Sequence, residues 1–327
     1  MKSFKYSDAI LDAYDFLLSN YSEVFVIGQG LWSPWYVGNT MKDLDKKFGK
    51  ERIIDTPVSE SAVTGAAIGA SLNQMRPIVV HPRMDFMLYA MDPIINQAAK
   101  WSYMFGGQTS PGVTIRGIIN RGGEQGAQHS QALHSIFAHI PGLKVVLPSS
   151  VSDARDMLIA SVLSNQPVIY IDDRWLYDQE DYLPPAKEVK LSEIRPKIVR
   201  QGNSITLVGS SYSTLLLKNI TAKLIEKNIN PEIIDLRIIN PLKIDKVIDS
   251  VKKTGHLFVL DGGWGPCGIS SEIIASVMEK IDPNKIKSRP KRMTLPFTPA
   301  PTSKDLELYY YPNQSSVTKS ILQMFDQ

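Results

Sequence analysis

Cysteine is nearly missing from this chain: Cys267 stands alone among 327 residues. A disulfide within the chain is therefore impossible, and so is a multi-cysteine metal cluster. Long hydrophobic runs are missing too; nothing approaches the roughly 20 apolar residues that span a bilayer. The first residues, Met1 to Ile10, hold no uninterrupted apolar core and no cleavage pattern, so no secretory leader is expected and a soluble cytoplasmic enzyme is the default class. Neither sign of charge dominates. The 36 basic and 33 acidic residues leave a net charge of +3 and are interspersed, which gives little support to binding of nucleic acid or an anionic membrane. There is no short-period repeat and no low-complexity segment.

What is present is ordinary globular composition, 43 % apolar and 21 % charged, at a length that suggests two domains. Short apolar runs read as buried strands at 24–30, 77–81, 113–119, 144–148 and 167–171. Helical spacing falls between them at 8–20, 61–73, 90–105 and 152–163, with Ser7 or Asp8 as a cap for the first. That alternation implies an α/β fold with a mostly parallel sheet covered on both faces. Around Pro184-Pro185 the chain turns polar and loses its period. This places a first domain at 1–180, a linker at 181–198 and a smaller α/β domain at 199–327. The second domain reads as strands at 204–209, 232–236 and 256–260, helices at 212–227 and 269–281, and a helical tail.

Ligands of open parallel sheets sit at the carboxyl ends of the strands, so the loops there carry the candidates. In Asp55-Thr56-Pro57-Val58-Ser59-Glu60, Pro57 holds the preceding residue extended, and Glu60 falls in the first turn of an Ala/Gly-rich helix that should pack closely on its neighbours. Taken alone, Glu60 could be no more than a favourable charge at a helix start. Phe86 and Tyr89, three apart, share a helical face that could stack on a planar ring or lie in the core. Gly122 to Gly126 form a Gly-rich loop that ends near His129, a plausible proton or hydrogen-bond donor to substrate. His134 and His139 read as packing or solvent histidines, since five residues apart is not metal spacing. Gly28-Gln29-Gly30 lacks the third glycine of a dinucleotide fingerprint, because position 33 is Ser33. Asp261-Gly262-Gly263-Trp264-Gly265 lacks the Lys and hydroxyl residue of a phosphate loop.

These pieces occur together in a familiar order. Thr56-Pro57-Val58-Ser59-Glu60, the segment from Phe86 through Asp92 to Asn96-Gln97-Ala98-Ala99-Lys100, and Ala127-Gln128-His129-Ser130-Gln131 resemble one family. So do His139-Ile140-Pro141-Gly142-Leu143-Lys144-Val145-Val146-Leu147-Pro148, Ile234-Asp235-Leu236-Arg237, Asn240-Pro241-Leu242 and Asp261-Gly262-Gly263-Trp264. The family is the beta subunit of thiamine-diphosphate-dependent 2-oxo-acid dehydrogenases, and the resemblance runs from about residue 5 to the end.

The resemblance implies a pyrimidine-binding domain followed by a transketolase-type C-terminal domain. It implies that Glu60 is the carboxyl that hydrogen-bonds N1′ of the aminopyrimidine and favours the imino tautomer, which takes the proton from the thiazolium carbon. It places Phe86, with Tyr89 a turn further, against the pyrimidine, and Gln29 and His129 on the substrate side. The coenzyme carries the carbon chemistry and the protein positions it. The family binds the diphosphate through Mg²⁺ and a Gly-Asp-Gly motif that is absent here, and Mg²⁺ needs hard oxygen ligands. The resemblance thus implies a coenzyme shared with an alpha-type chain that holds most of the Mg²⁺ site, in an α2β2 assembly. A lipoyl acyltransferase would be a further partner. A second expectation keeps the coenzyme and changes the acceptor: half of a two-subunit transketolase or acyloin-forming carboligase. A non-enzymatic scaffold is opposed by the joint presence of Glu60, Phe86 and His129. Three features depart from the family pattern: Gln29-Gly30 where acidic residues are usual, the aromatic stretch Leu31 to Tyr36, and Arg83-Met84 where less polar or aromatic residues are expected. They suggest an altered 2-oxo-acid donor.

Overall fold

The fold comes from a computed structural model, which describes residues 2–325. Seven strands form the main sheet, in the order Ile238–Asn240, Lys144–Val146, Val168–Asp173, Thr114–Ile119, Arg76–His81, Val24–Gly28 and Ile53–Asp55. All neighbours are parallel except the first pair, in which Ile238–Asn240 runs antiparallel to Lys144–Val146. A second sheet of five strands runs Lys291–Leu295, Leu257–Trp264, Ile205–Gly209, Pro231–Asp235 and Lys197–Arg200, with only the last antiparallel. Lys2–Lys5 pairs antiparallel with Glu180–Leu183. The segment around Pro184-Pro185 is therefore flanked by strands on both sides.

Alternation along each strand divides the core into layers. In the main sheet Val79, Ile115 and Ile169 face one way. They join a buried cluster that continues into Val208, Ile234 and Val259 of the second sheet and into Val247 and Ile273 of its helices. Ile78, Ile118, Val168 and Tyr170 face the other way, against Ile10, Leu17 and Met157. The outer face of the second sheet buries Leu207, Ile233 and Phe258 under Leu217, Val317 and Ile321. One apolar layer is thus common to both sheets.

Several helices differ from the sequence expectation. The first begins at Tyr6, earlier than a Ser7 or Asp8 cap would allow; Asp8 instead accepts a bond from the Lys5 N–H at 3.4 Å. The helix expected at 90–105 is three pieces, a 3-10 helix Met84–Ala90, a π-helical turn Asp92–Ala98 and an α-helix Ala99–Met104. Pro93, which has no N–H to give, sits at the start of the wide turn. The helix expected at 212–227 divides into Tyr212–Asn219 and Thr221–Ile225. The strands Ile53–Asp55, Ile238–Asn240 and Lys291–Leu295 and the helix Asp245–Thr254 were not expected.

Gly142 shows why the Ile-Pro-Gly-Leu run has its form. Its φ is +99°, and a Cβ there would lie 1.9 Å from the Ala99 carbonyl oxygen. Lys100 Nζ donates to the Pro141 carbonyl at 3.1 Å, so two of the quoted sequence motifs meet at this point.

Arg116 and Asp172 form a fully buried ion pair between adjacent central strands. The fork is bidentate, with Nε to Oδ1 and Nη2 to Oδ2 both 2.8 Å. Thr40 Oγ1 accepts from Nη1 at 2.8 Å, and the Tyr177 hydroxyl donates to Asp172 at 2.5 Å. Removing one partner strands a charge in a dry interior. Asp172→Asn should therefore destabilise the chain by about 3–5 kcal/mol, and the double change Arg116→Met with Asp172→Leu should cost less than that single change. Urea unfolding checks both; a single-variant loss under about 1 kcal/mol would contradict it.

Candidate functional site

The strand register sets the site. Gly28 stands beside Val80, His81 beside Gly117, and Ile119 beside Asp173. Four neighbouring strands therefore end together, and the residues that follow them, Gln29, Pro82-Arg83, Asn120-Arg121 and Arg174, share one edge. Gly28 has to be glycine, since a Cβ would fall 2.4 Å from the Val80 carbonyl oxygen.

Glu60 opens the helix Glu60–Leu72, in its first turn, after Ser59. It lines a narrow cleft of about 20 Å³ with Gln29, Thr56, Pro57, Val63, Val79 and His81 among its walls. That is room for about one water. This small-residue helix packs closely on its neighbours along one face. Ala67 and Ile68 are buried, but Gly65 and Gly69 face open space within the chain.

The same helix packs on the 3-10 turn Met84–Ala90, which carries Phe86 and Tyr89. Phe86 is half-buried and meets the His129 ring edge-on, with centroids 5.4 Å apart and planes at 89°. The structure thus brings Phe86 and His129 together. Tyr89, on the same turn, is 73 % exposed. Gln29 donates through Nε2 to the Tyr36 hydroxyl at 3.1 Å.

Two further residues of this region escape sequence reading. Asp85 is buried; its Oδ1 accepts from the Gln131 backbone N–H at 3.1 Å and from Gln131 Nε2 at 2.9 Å, tying the His129 loop to the Phe86 turn. Burial raises its carboxyl above the ordinary range. His81 closes the cleft, with Nε2 3.4 Å from Thr64 Oγ1, and burial pushes its imidazole down to about 4. His81 was visible as the last residue of an apolar strand, but nothing in the spacing marks it.

The Gly-rich loop serves the second half of the chain. The Glu124 N–H donates to Glu307 Oε1 at 3.0 Å, and Arg121 pairs with Asp173 at 2.7 Å and donates to the Gly262 carbonyl at 3.3 Å. His134 is buried against Asp261, Nε2 to Oδ1 2.9 Å, while His139 is exposed. Among the described residues, no group of three or more His, Cys, Asp or Glu side chains could hold a metal ion. No helix among them is long and apolar enough to cross a membrane.

Two consecutive α/β units, with polar residues gathered where the parallel strands of the first end, define a transketolase-type protein. Residues 2–179 match the pyrimidine-binding domain of transketolase and residues 195–317 match the transketolase C-terminal domain. The chain belongs to this family, among the beta subunits of pyruvate and acetoin dehydrogenase type. It is 40 % identical over 277 residues to the beta subunit of acetoin:2,6-dichlorophenolindophenol oxidoreductase of Cupriavidus necator, covering 84 % of this chain and 81 % of that one. It is 34 % identical over 303 residues to the mitochondrial pyruvate dehydrogenase E1 component subunit beta of Homo sapiens, covering 92 % and 84 %. A solved structure described as a split-gene transketolase, an inactive beta4 tetramer, shares the fold with a TM-score of 0.80 at 15 % identity, over 98 % of both chains.

The depressed imidazole gives a pH prediction. Above about pH 6.5 His81 is neutral in folded and unfolded chains alike, and below it only the unfolded chain takes up the proton until about pH 4. Stability should therefore fall with pH through that window, by at most about 1.4 kcal/mol per unit from this residue. His81→Phe should flatten that share of the slope in urea unfolding between pH 7 and pH 4.5. Parallel slopes for the two proteins would refute it.

Proposed function

We propose that this chain is the beta subunit of a thiamine-diphosphate-dependent 2-oxo-acid dehydrogenase, active only with an alpha-type partner. It would decarboxylate a 2-oxo acid and pass the acyl group to a lipoyl carrier on an acyltransferase. The observation that carries the reading is the placement of Glu60. A carboxyl group at a helix start lines a cleft that it shares with the apolar Pro57, Val63 and Val79 and the polar Gln29, Thr56 and His81, and the aromatic turn bearing Phe86 packs against the same helix.

Those residues fit one edge of the coenzyme. Glu60 is a hydrogen-bonding group for a ring nitrogen, where it would hold or release a proton at its carboxyl oxygen. Phe86 supplies a flat apolar surface for the ring. His129, in ring contact with Phe86, would donate a proton or hydrogen bond to the substrate. Gln29 lines the same cleft from the neighbouring strand end. When bound, thiamine diphosphate supplies the carbon nucleophile that attacks the 2-oxo carbonyl.

The cleft in one chain is far too small to enclose a coenzyme, and the sequence carries no Gly-Asp-Gly motif for Mg²⁺. Both facts support division of the site with an alpha-type chain, in an α2β2 assembly, with the Mg²⁺ diphosphate on the partner. The exposure of Tyr89 supports the same division, since a ring beside the site would be covered by that partner. Domains at 1–180 and 199–327, joined through 181–198, are part of the proposal.

Glu60→Gln should lower thiamine-dependent CO₂ release from 2-oxo acids by about 10²–10⁴-fold, leaving folding and co-purification with the alpha-type chain unchanged. Near-normal turnover in that variant would end the proposed mechanism. His129→Ala should reduce turnover and raise KM for the donor while thiamine diphosphate binding, followed by calorimetry, stays within about twofold. Equal loss of coenzyme and donor binding would make His129 a structural residue.

A further inference from the structure

Two arginines at the strand-end edge stand outside any ion pair among the described residues, although Asp85 lies near enough to Arg83 to be felt by its charge. Arg116, Arg121, Arg155 and Arg237 each reach a carboxylate within salt-bridge distance. Among the described residues, Arg83 and Arg174 reach none. Both are half-buried, and the Nε of each is fully buried without a hydrogen-bond partner. A half-buried guanidinium left so is unusual, because each of its N–H groups loses water on burial.

Their positions converge. Arg83 follows the strand Arg76–His81 and Arg174 follows Val168–Asp173, with only Thr114–Ile119 between them. Two strand spacings are about 10 Å, a gap that two arginine side chains can close. Arg83 donates to the Pro82 carbonyl at 3.0 Å and, weakly, to Gln125 Oε1 at 3.4 Å. Arg174 donates to the Tyr36 carbonyl at 2.8 Å, and the Tyr36 hydroxyl takes the bond from Gln29. Phe86 lies three residues beyond Arg83, on the turn that begins at Met84. Burial, and next the charge of Arg174, holds the Arg83 guanidinium below its ordinary range. The two cations therefore sense each other, and an anion between them would relieve both.

We propose that Arg83 and Arg174 form an anion subsite beside the Glu60 cleft that takes a second acidic group, a carboxylate or a phosphate, at the far end of the donor. This rests on the reading that the cleft processes a 2-oxo donor, and it narrows that donor to one with a charged tail. Paired guanidiniums suit such a group because each offers a planar fork of donors.

The test uses the chain co-purified with its alpha-type partner. kcat/KM is compared for three 2-oxo donors: one with an uncharged tail, one with a tail carboxylate and one with a tail phosphate. One of the two charged tails should be preferred by roughly 10–100-fold, and which one identifies the group. Arg83→Met and Arg174→Gln should each remove most of that preference, and Arg83→Lys should restore part of it. Equal kcat/KM for the three donors, or a preference that survives both changes, overturns the subsite. If no donor turns over, the functional reading fails instead, and the subsite is then judged by calorimetry of the same complex with inorganic phosphate and with succinate. Binding of either ion that weakens about tenfold or more in both variants supports it. No binding, or binding that neither change weakens, overturns it. Should Arg83→Met fail to fold, Arg83→Lys and Arg174→Gln carry the comparison.

Discussion

Burying a guanidinium beside a carboxylate in the centre of a sheet constrains everything around the pair. Arg116 and Asp172 sit on adjacent strands, so their fork fixes the register of Thr114–Ile119 against Val168–Asp173. The remaining polar atoms of the pair need partners in a dry interior. They come from three separate places: Tyr14 on the first helix, Thr40 in the loop after the first central strand, and Tyr177 just past the last. The loop that carries Trp32, Trp35 and Tyr36 is thereby anchored at Thr40. The segment that carries Arg174 is anchored at Tyr177. A charge pair in the floor of the fold thus determines where two edges of the candidate site can lie.

The two α/β units are also joined by more than a shared apolar layer. The short strand Ile238–Asn240 belongs by sequence to the second unit and pairs with the sheet of the first. Immediately before it, Arg237 grips Asp153 through Nε at 3.2 Å and Nη2 at 2.5 Å, and Ser149 donates to Asp235. His134 and Asp261 make a similar buried link. Burial, with the Asp153 charge second, pushes the Asp235 carboxyl up to about 7. The Gly-rich loop, held by Arg121 and Glu307, closes the same seam beside His129. The candidate site is consequently supported by both units although Gln29, Glu60, Phe86 and His129 come from one.

The alternating apolar runs were enough to read the main parallel strands, because a buried strand leaves a block of Val and Ile that little else imitates. Three-residue strands such as Ile53–Asp55 and Ile238–Asn240 leave no such block. Lys291–Leu295 is an edge strand whose Lys-Arg-Met-Thr-Leu sequence reads as surface. The 3-10 and π turns around Phe86 hid behind a helical pattern, since apolar spacing does not distinguish widened from tightened turns. At the site, the meeting of Phe86 and His129, 43 positions apart, was legible only through motif resemblance. Ring contact across such a distance leaves no trace in spacing. His81 and Asp85 were illegible for a different reason: burial decides their state, and burial belongs to the folded chain.

Charge is handled in opposite ways in the floor and at the rim. Below the strand ends, Arg116 and Asp172 neutralise each other, and Arg121 and Asp173 repeat the arrangement one step closer to the surface. At the rim the next basic residues, Arg83 and Arg174, lack such partners, and Asp85, the acid whose charge Arg83 feels, turns Oδ1 to Gln131 while its buried Oδ2 has no hydrogen-bond partner. Leaving the two arginines open costs desolvation that folding does not recover. That cost has a physical rationale if the missing negative charge arrives with a ligand, because then the same desolvated donors strengthen binding and exclude neutral-tailed competitors.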